Sequence, residues 1–151
     1  MSTIRHRLPL VIRWVVGLVF VYMGANKALH PVDFLKLVHQ YNLTENYWLL
    51  NAIAAGLPWF EIFCGLLLLA GAAVRGTALT LVLLLVPFTA VVLQRALALQ
   101  AARHIAFCAV KFDCGCGGGE TFACHKLLEN AVLIFSLAWL TWKGGREKRN
   151  V

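Results

Sequence analysis

Charge is scarce in this sequence. Only 14% of its 151 residues are Asp, Glu, Lys or Arg, and acids are the scarcer sign, 7 against 14 basic residues. A soluble domain carries about a quarter charged residues and is near half apolar. Here 60% of residues are hydrophobic and the mean hydropathy is +0.73. In a chain this short, such an imbalance excludes a soluble fold with an enlarged core and implies an integral membrane protein. The net charge of +7 does not indicate nucleic-acid binding. Its basic residues stand at chain ends and between apolar runs rather than on one face, the distribution of a protein oriented in a membrane by positive charge. A small-x-small cleavage site is missing after the first apolar run, where Tyr22-Met23-Gly24-Ala25-Asn26-Lys27 follows, so that run reads as a retained span rather than a signal peptide. No internal repeat or long linker divides the chain, which predicts one membrane domain over residues 1–151.

A span needs about 20 apolar residues. Four are predicted, at about 10–29, 52–73, 77–93 and 127–142. Arg13 and Lys27, near the ends of the first, are expected to snorkel towards an interface. His30-Pro31 ends that span. Residues 32–40 are too polar to cross and predict a short interfacial helix, followed by Tyr41, Tyr47 and Trp48 at headgroup depth. Pro87 predicts a kink or local break in the third span. Leu97, Ala101, Ile105 and Cys108 recur at helical spacing, which extends that helix outward to Ala109. The fold class is therefore all-α: a four-helix membrane bundle with a short exoplasmic interfacial helix and a Cys/Gly-rich exoplasmic loop before the last span. Basic residues beside the spans at both termini place the termini in the cytoplasm, in contact with no nucleic acid but with the lipid bilayer throughout. The cysteine loop then faces outside, where disulfides persist.

That loop, Phe112-Asp113-Cys114-Gly115-Cys116-Gly117-Gly118-Gly119-Glu120 with Cys124-His125 behind it, concentrates the reactive residues. Two cysteines one residue apart close only a small, strained ring, which makes their disulfide labile and suited to exchange. The surrounding glycines give the backbone the freedom such a ring needs. As an alternative, Cys114, Cys116, Cys124 and His125, with Cys108 and His104 nearby, supply soft ligands for zinc or copper, although the paired C-x₂-C spacing of structural zinc is missing. A third reading is a glycine-rich loop stapled by passive disulfides. Cys124 either resolves a disulfide with Cys114 or Cys116, or joins Cys108 to tie the loop to its helices; the sequence leaves both open. Cys64 reads as a small buried hydrophobe.

Glu61 stands in the middle of the second span, where a carboxylate is costly and normally paired or functional. Asn26, Lys27 and Arg95 are its candidate partners. It reads either as a proton carrier or polar anchor beside a bound quinone, or as a hydrogen-bonded link between helices. Gly17, Gly24, Gly65 and Gly71 read as close-packing positions. Glu129-Asn130, near the outer end of the last span, is expected to orient the cysteine loop through its backbone N–H groups.

Arg13, Gly17, Gly24 and Lys27, followed by Pro58-x-x-Glu61-x-x-x-Gly65 and Gly71, resemble the DoxX-like four-helix membrane proteins. Asp113-Cys114-Gly115-Cys116-Gly117 before a last span opening with Leu128-Glu129-Asn130 resembles the MauE branch, the redox-associated methylamine-utilisation proteins. The likeness covers most of the chain. It implies a four-helix bundle in the bacterial cytoplasmic (inner) membrane that forms or maintains disulfides in exported proteins, alongside a thioredoxin-like partner. On this resemblance Cys114 and Cys116 are the redox pair and Glu61 the buried family carboxylate.

The resulting expectation is a membrane thiol–disulfide oxidoreductase that exchanges with an exported thioredoxin-like protein or its substrate. Its expected site is Cys114, Cys116, Cys124, Cys108 and Glu61. No motif specifies a cofactor; a membrane quinone is the candidate electron acceptor. The alternatives are a soft-metal binding or transport protein using the same thiols and a non-catalytic membrane subunit that scaffolds a partner.

Overall fold

A computed structural model describes residues 2–41, 46–113 and 119–147, with side chains placed over 8–143 of these. Helix α1 runs from Ser2 to Leu29, α2 from Pro31 to Gln40, α3 from Tyr47 to Ala70, α4 from Val74 to Arg103 and α5 from Ala123 to Glu147. Between α4 and α5 lie a 3₁₀ turn, Phe107–Ala109, and two short antiparallel strands, β1 (Lys111–Asp113) and β2 (Glu120–Phe122). Among the described residues, four helices contain segments long and apolar enough to cross a membrane: Leu8–Leu29, Tyr47–Ala70, Val74–Arg103 and Ala123–Lys143. Only 28–33% of each apolar window is buried inside the protein. Trp14, Leu18, Trp59, Phe63, Leu83 and Phe135 all point outward. An apolar exterior on that scale is untenable in water and natural in hydrocarbon. The chain is a multi-pass membrane protein.

The interfacial helix expected over 32–40 is present as α2, with Pro31 in its first turn and Phe34 and Val38 turned inward onto Leu50 and Ala54 of α3. The second span begins earlier than its apolar run suggests. The Asn46 side chain accepts hydrogen bonds from the N–H groups of Trp48 and Leu49, and so caps α3 before Tyr47. Gly71 ends α3 in the left-handed conformation (φ 77°). The Ala72 N–H donates to Leu67 O and the Gly71 N–H to Leu68 O, which closes the last turn. Gly71 is thus a helix stop rather than a packing position. A Cβ there would come within 2.5 Å of the Arg13 guanidinium, which covers that turn.

The other three glycines bring α1 and α3 together. A Cβ on Gly24 would lie 2.6 Å from Pro58 O, and one on Gly65 would lie 2.8 Å from Gly17 O. These are backbone-to-backbone approaches that no larger residue permits. α4 and α5 form the second close pair, and the two pairs share a core of Phe20, Leu68, Leu81 and Leu137.

Helix α4 continues through Pro87 without interruption. Its 30 residues span about 45 Å, against roughly 30 Å of hydrocarbon, so one end projects beyond the apolar layer. It does not reach Ala109 as its periodicity predicts. The helix stops at Arg103, with His104 in the left-handed region (φ 51°) donating its N–H to Gln100 O. The chain then doubles back along α4. Val110 and Phe112 are buried against Val92 and Ala96 of α4, Met23 of α1 and Ala123. These contacts cap one end of the bundle with a hairpin, and they override the helical spacing of Ile105 and Cys108.

Candidate functional site

The hairpin is the platform of the site. Its register pairs Lys111 with Phe122, Phe112 with Thr121 and Asp113 with Glu120. Alternation along β1 buries Phe112 and turns Lys111 and Asp113 outward. The Lys111 ammonium lies 4.7 Å from the Phe122 ring centre, a cation–π contact across the strands. At the base, the Ala123 N–H donates to Val110 O. Just beyond the strands a disulfide joins Cys108 to Cys124, with Cα atoms 5.0 Å apart. Cys108 is exposed and Cys124 half-buried. The pairing left open by the sequence is therefore made between these two residues, and it clasps the hairpin at its base.

Cys114 and Cys116 belong to the tip of this hairpin in sequence and lie outside the described residues. The strands end at Asp113 and Glu120, so the disulfide stands at the opposite end of the hairpin from these two residues, about 7 Å of strand away at 3.4 Å per residue. Cys124 offers no thiolate while bonded to Cys108, and His125 is exposed on the first turn of α5. Among the described residues no three His, Cys, Asp or Glu side chains form a group suited to a metal. Cys64 is free and buried, as expected.

Glu61 is paired with Lys27. The ammonium donates to both carboxylate oxygens, at 2.6 Å and 2.7 Å, and the two residues are 4% and 3% exposed. Lys27 does not snorkel. It shares a face with Gly24, three residues earlier, as Glu61 does with Pro58 and Gly65, so the contacts that press α1 on α3 also aim the two charges at each other. The rings of Phe34 and Phe88 stand 5.4 Å and 6.0 Å from Lys27 Nζ. Arg95 makes no ion pair with Glu61.

A second buried lysine was not legible in the sequence. Lys126 is 2% exposed, hydrogen-bonds Glu129 at 2.9 Å and lies within electrostatic reach of Glu61. Asn130, fully buried, faces α4 and not the cysteine loop: its amide donates to Thr89 Oγ1 at 3.1 Å, and Thr89 in turn donates to Leu85 O. The pair expected to orient the loop thus fastens α5 to α4 and to itself.

A cavity of about 290 Å³ connects these features. It is lined by the buried Lys27 and Phe34, the half-buried Asn26 and Leu37, and the exposed His30, Asp33, Asp113 and Gly119. It therefore lies between residues of α1 and α2, Lys27 among them, and the two residues that flank the thiol-bearing segment in sequence. No sequence periodicity signals it, because it lies between three elements far apart in the chain.

Residues 5–143 match the family model described as methylamine utilisation protein MauE. No curated protein and no solved structure matches the chain. With nearly its whole length inside that match, the chain belongs to the MauE family.

Proposed function

We propose that this MauE-family chain is a membrane thiol–disulfide redox protein, and that Cys114 and Cys116 exchange disulfides with an exported thioredoxin-like protein or that protein's substrate. The observation that carries the reading is the hairpin. A disulfide holds its base closed, packing on α1, α4 and α5 fixes its inner face, and the sequence puts two further cysteines one residue apart at its tip. A rigid stalk with a glycine-rich tip presents a labile pair to an incoming protein while keeping the structural disulfide apart from it.

In the exchange, a partner thiolate attacks one sulfur of the Cys114–Cys116 disulfide. The S–S bond breaks and the other sulfur leaves as a thiolate. A second partner thiolate then attacks the mixed disulfide, which releases the first cysteine and leaves the partner oxidised and this pair reduced. The reverse sequence reduces the partner.

The charge distribution supports an exoplasmic hairpin and cytoplasmic termini. Lys27 and Lys126 are buried, so they do not count as flanking charges. Lys36, Arg95, Arg103 and Lys111 remain on the hairpin side, against Arg5, Arg7, Arg13, Arg75, Lys143, Arg146, Lys148 and Arg149 on the other. That asymmetry is the one expected of a bacterial inner-membrane protein with its termini inside.

The direct test is trapping. Cys116→Ser or Cys114→Ser in intact cells should accumulate a mixed disulfide with a partner, resolved by reductant and identifiable by mass spectrometry. Unchanged partner oxidation in both variants would show that the tip is structural, and a stoichiometric metal retained on purification would favour the metal-binding alternative.

A further inference from the structure

Among the described residues, the guanidinium of Arg13 has no partner. Its Nε is fully covered and finds no acceptor, and Arg13 joins none of the ion pairs. The residue as a whole is half-buried, so the accessible part of the group is its two amino ends. The side chain lies over the turn at Gly71, so close that a Cβ there would come within 2.5 Å of Nη1. An unpaired cation held against an apolar layer is costly, and this one calls for an anion from outside the chain.

No acid with a described side chain supplies it. Glu61 is taken by Lys27. Asp33, Asp113, Glu120 and Glu129 belong to α2, the hairpin and the adjoining start of α5, at the opposite end of the bundle. The other described charges at the Arg13 end are positive. Arg75 is exposed in the first turn of α4, just past the Gly71 turn, and Lys143 lies near the end of α5 over the Trp139 ring.

Depth narrows the ligand. Arg13 follows the start of the apolar segment at Leu8 by about 7 Å along the helix axis, at 1.5 Å per residue. A snorkelling arginine reaches the membrane surface from there. The anion met at that level is a lipid phosphate, and the planar guanidinium fits two phosphate oxygens through parallel N–H bonds. Leu10 and Trp14 on α1 and Leu66 on α3 are exposed and offer apolar surface to an acyl chain. A zwitterionic headgroup brings its own ammonium towards Arg75, whereas a net-negative one does not. We infer that Arg13, with Arg75, binds the phosphate of an anionic phospholipid in the leaflet on the side of the termini. The lipid fastens α1 to the α3–α4 turn, at the far end of the bundle from the Cys108–Cys124 disulfide.

The test titrates phosphatidylglycerol, or phosphatidylcholine of the same chain length, into the full-length protein in neutral detergent and counts bound lipids by native mass spectrometry. Wild type should take up one phosphatidylglycerol per chain saturably, about tenfold or more tighter than phosphatidylcholine. Arg13→Gln should weaken that uptake about tenfold or more, whereas Arg146→Gln, which removes a charge elsewhere on the same side, should bind as wild type does. Arg75→Gln, at an exposed position where folding is not at stake, should narrow the preference for phosphatidylglycerol over phosphatidylcholine. Equal losses in Arg13→Gln and Arg146→Gln would mean diffuse attraction to basic residues and would overturn the inference. So would an unchanged preference in Arg75→Gln, which decides the matter even if Arg13→Gln fails to fold. Displacement of the lipid by millimolar inorganic phosphate would also overturn it, in favour of a soluble phosphate ligand.

Discussion

Lys27 and Glu61, 34 residues apart in sequence, meet inside the bundle with the ammonium on both carboxylate oxygens at 2.6 and 2.7 Å. A single buried charge in such a place is far more costly than the pair. Lys27→Met or Glu61→Leu alone should therefore lower stability by about 3–5 kcal/mol, read as a fall in the thermal midpoint in detergent. The combined change should recover most of that loss, because two apolar side chains of similar volume replace the pair. Losses that simply add would mean the two residues do not act as a unit.

The glycine contacts should separate sharply by position. Gly24→Val puts side-chain atoms onto Pro58 O, which a Cβ alone would already approach to 2.6 Å, so it should push α1 from α3 and cost about 1–3 kcal/mol or more. Gly56, in the same helix as Pro58, has nothing within 4 Å of such a Cβ. Gly56→Ala should be neutral or stabilise by up to about 1 kcal/mol. Equal effects at the two sites, measured by the same melting assay, would contradict the packing described.

The Cys108–Cys124 clasp closes a loop of sequence separation 16. The chain-entropy relation gives such a crosslink about 3 kcal/mol. Cys108→Ser with Cys124→Ser should lower the melting point correspondingly, and adding Cys116→Ser to it should still trap a partner at Cys114. Loss of trapping in that folded triple variant would mean that the base disulfide is a relay and not a tie.

Orientation is open to direct measurement. A membrane-impermeant maleimide applied to intact cells after mild reduction should label Cys114 and Cys116. Labelling only after lysis would reverse the topology and remove the compartment in which the exchange works.

Much of the bundle was legible in the sequence. Runs of about 20 apolar residues, the Pro31 helix start and the lone carboxylate at Glu61 each carry a local signal, and Lys27 was among the partners that carboxylate could reach. The hairpin was not. Its strands are 3 residues each, too short for an alternating pattern, and the spacing of Leu97, Ala101, Ile105 and Cys108 reads as helix until Val110 and Phe112 pack back onto α4. Asn130 was misread, and the burial of Lys126 missed, for a related reason. At the end of a span a polar residue is expected to face water, and only the fold turns these two inward. The cavity depends on α1, α2 and β1 meeting, which no window of sequence contains.

The central claim concerns Cys114 and Cys116, and a redox titration of the purified protein tests it most directly. Samples equilibrated across a series of dithiol/disulfide buffers are alkylated and the peptide carrying both cysteines is weighed. The account predicts a reversible two-electron transition of the Cys114/Cys116 pair at a higher potential than that of Cys108–Cys124, which stays oxidised through it. A Cys114/Cys116 pair that never forms a disulfide, or one that reduces only together with Cys108–Cys124, would contradict it.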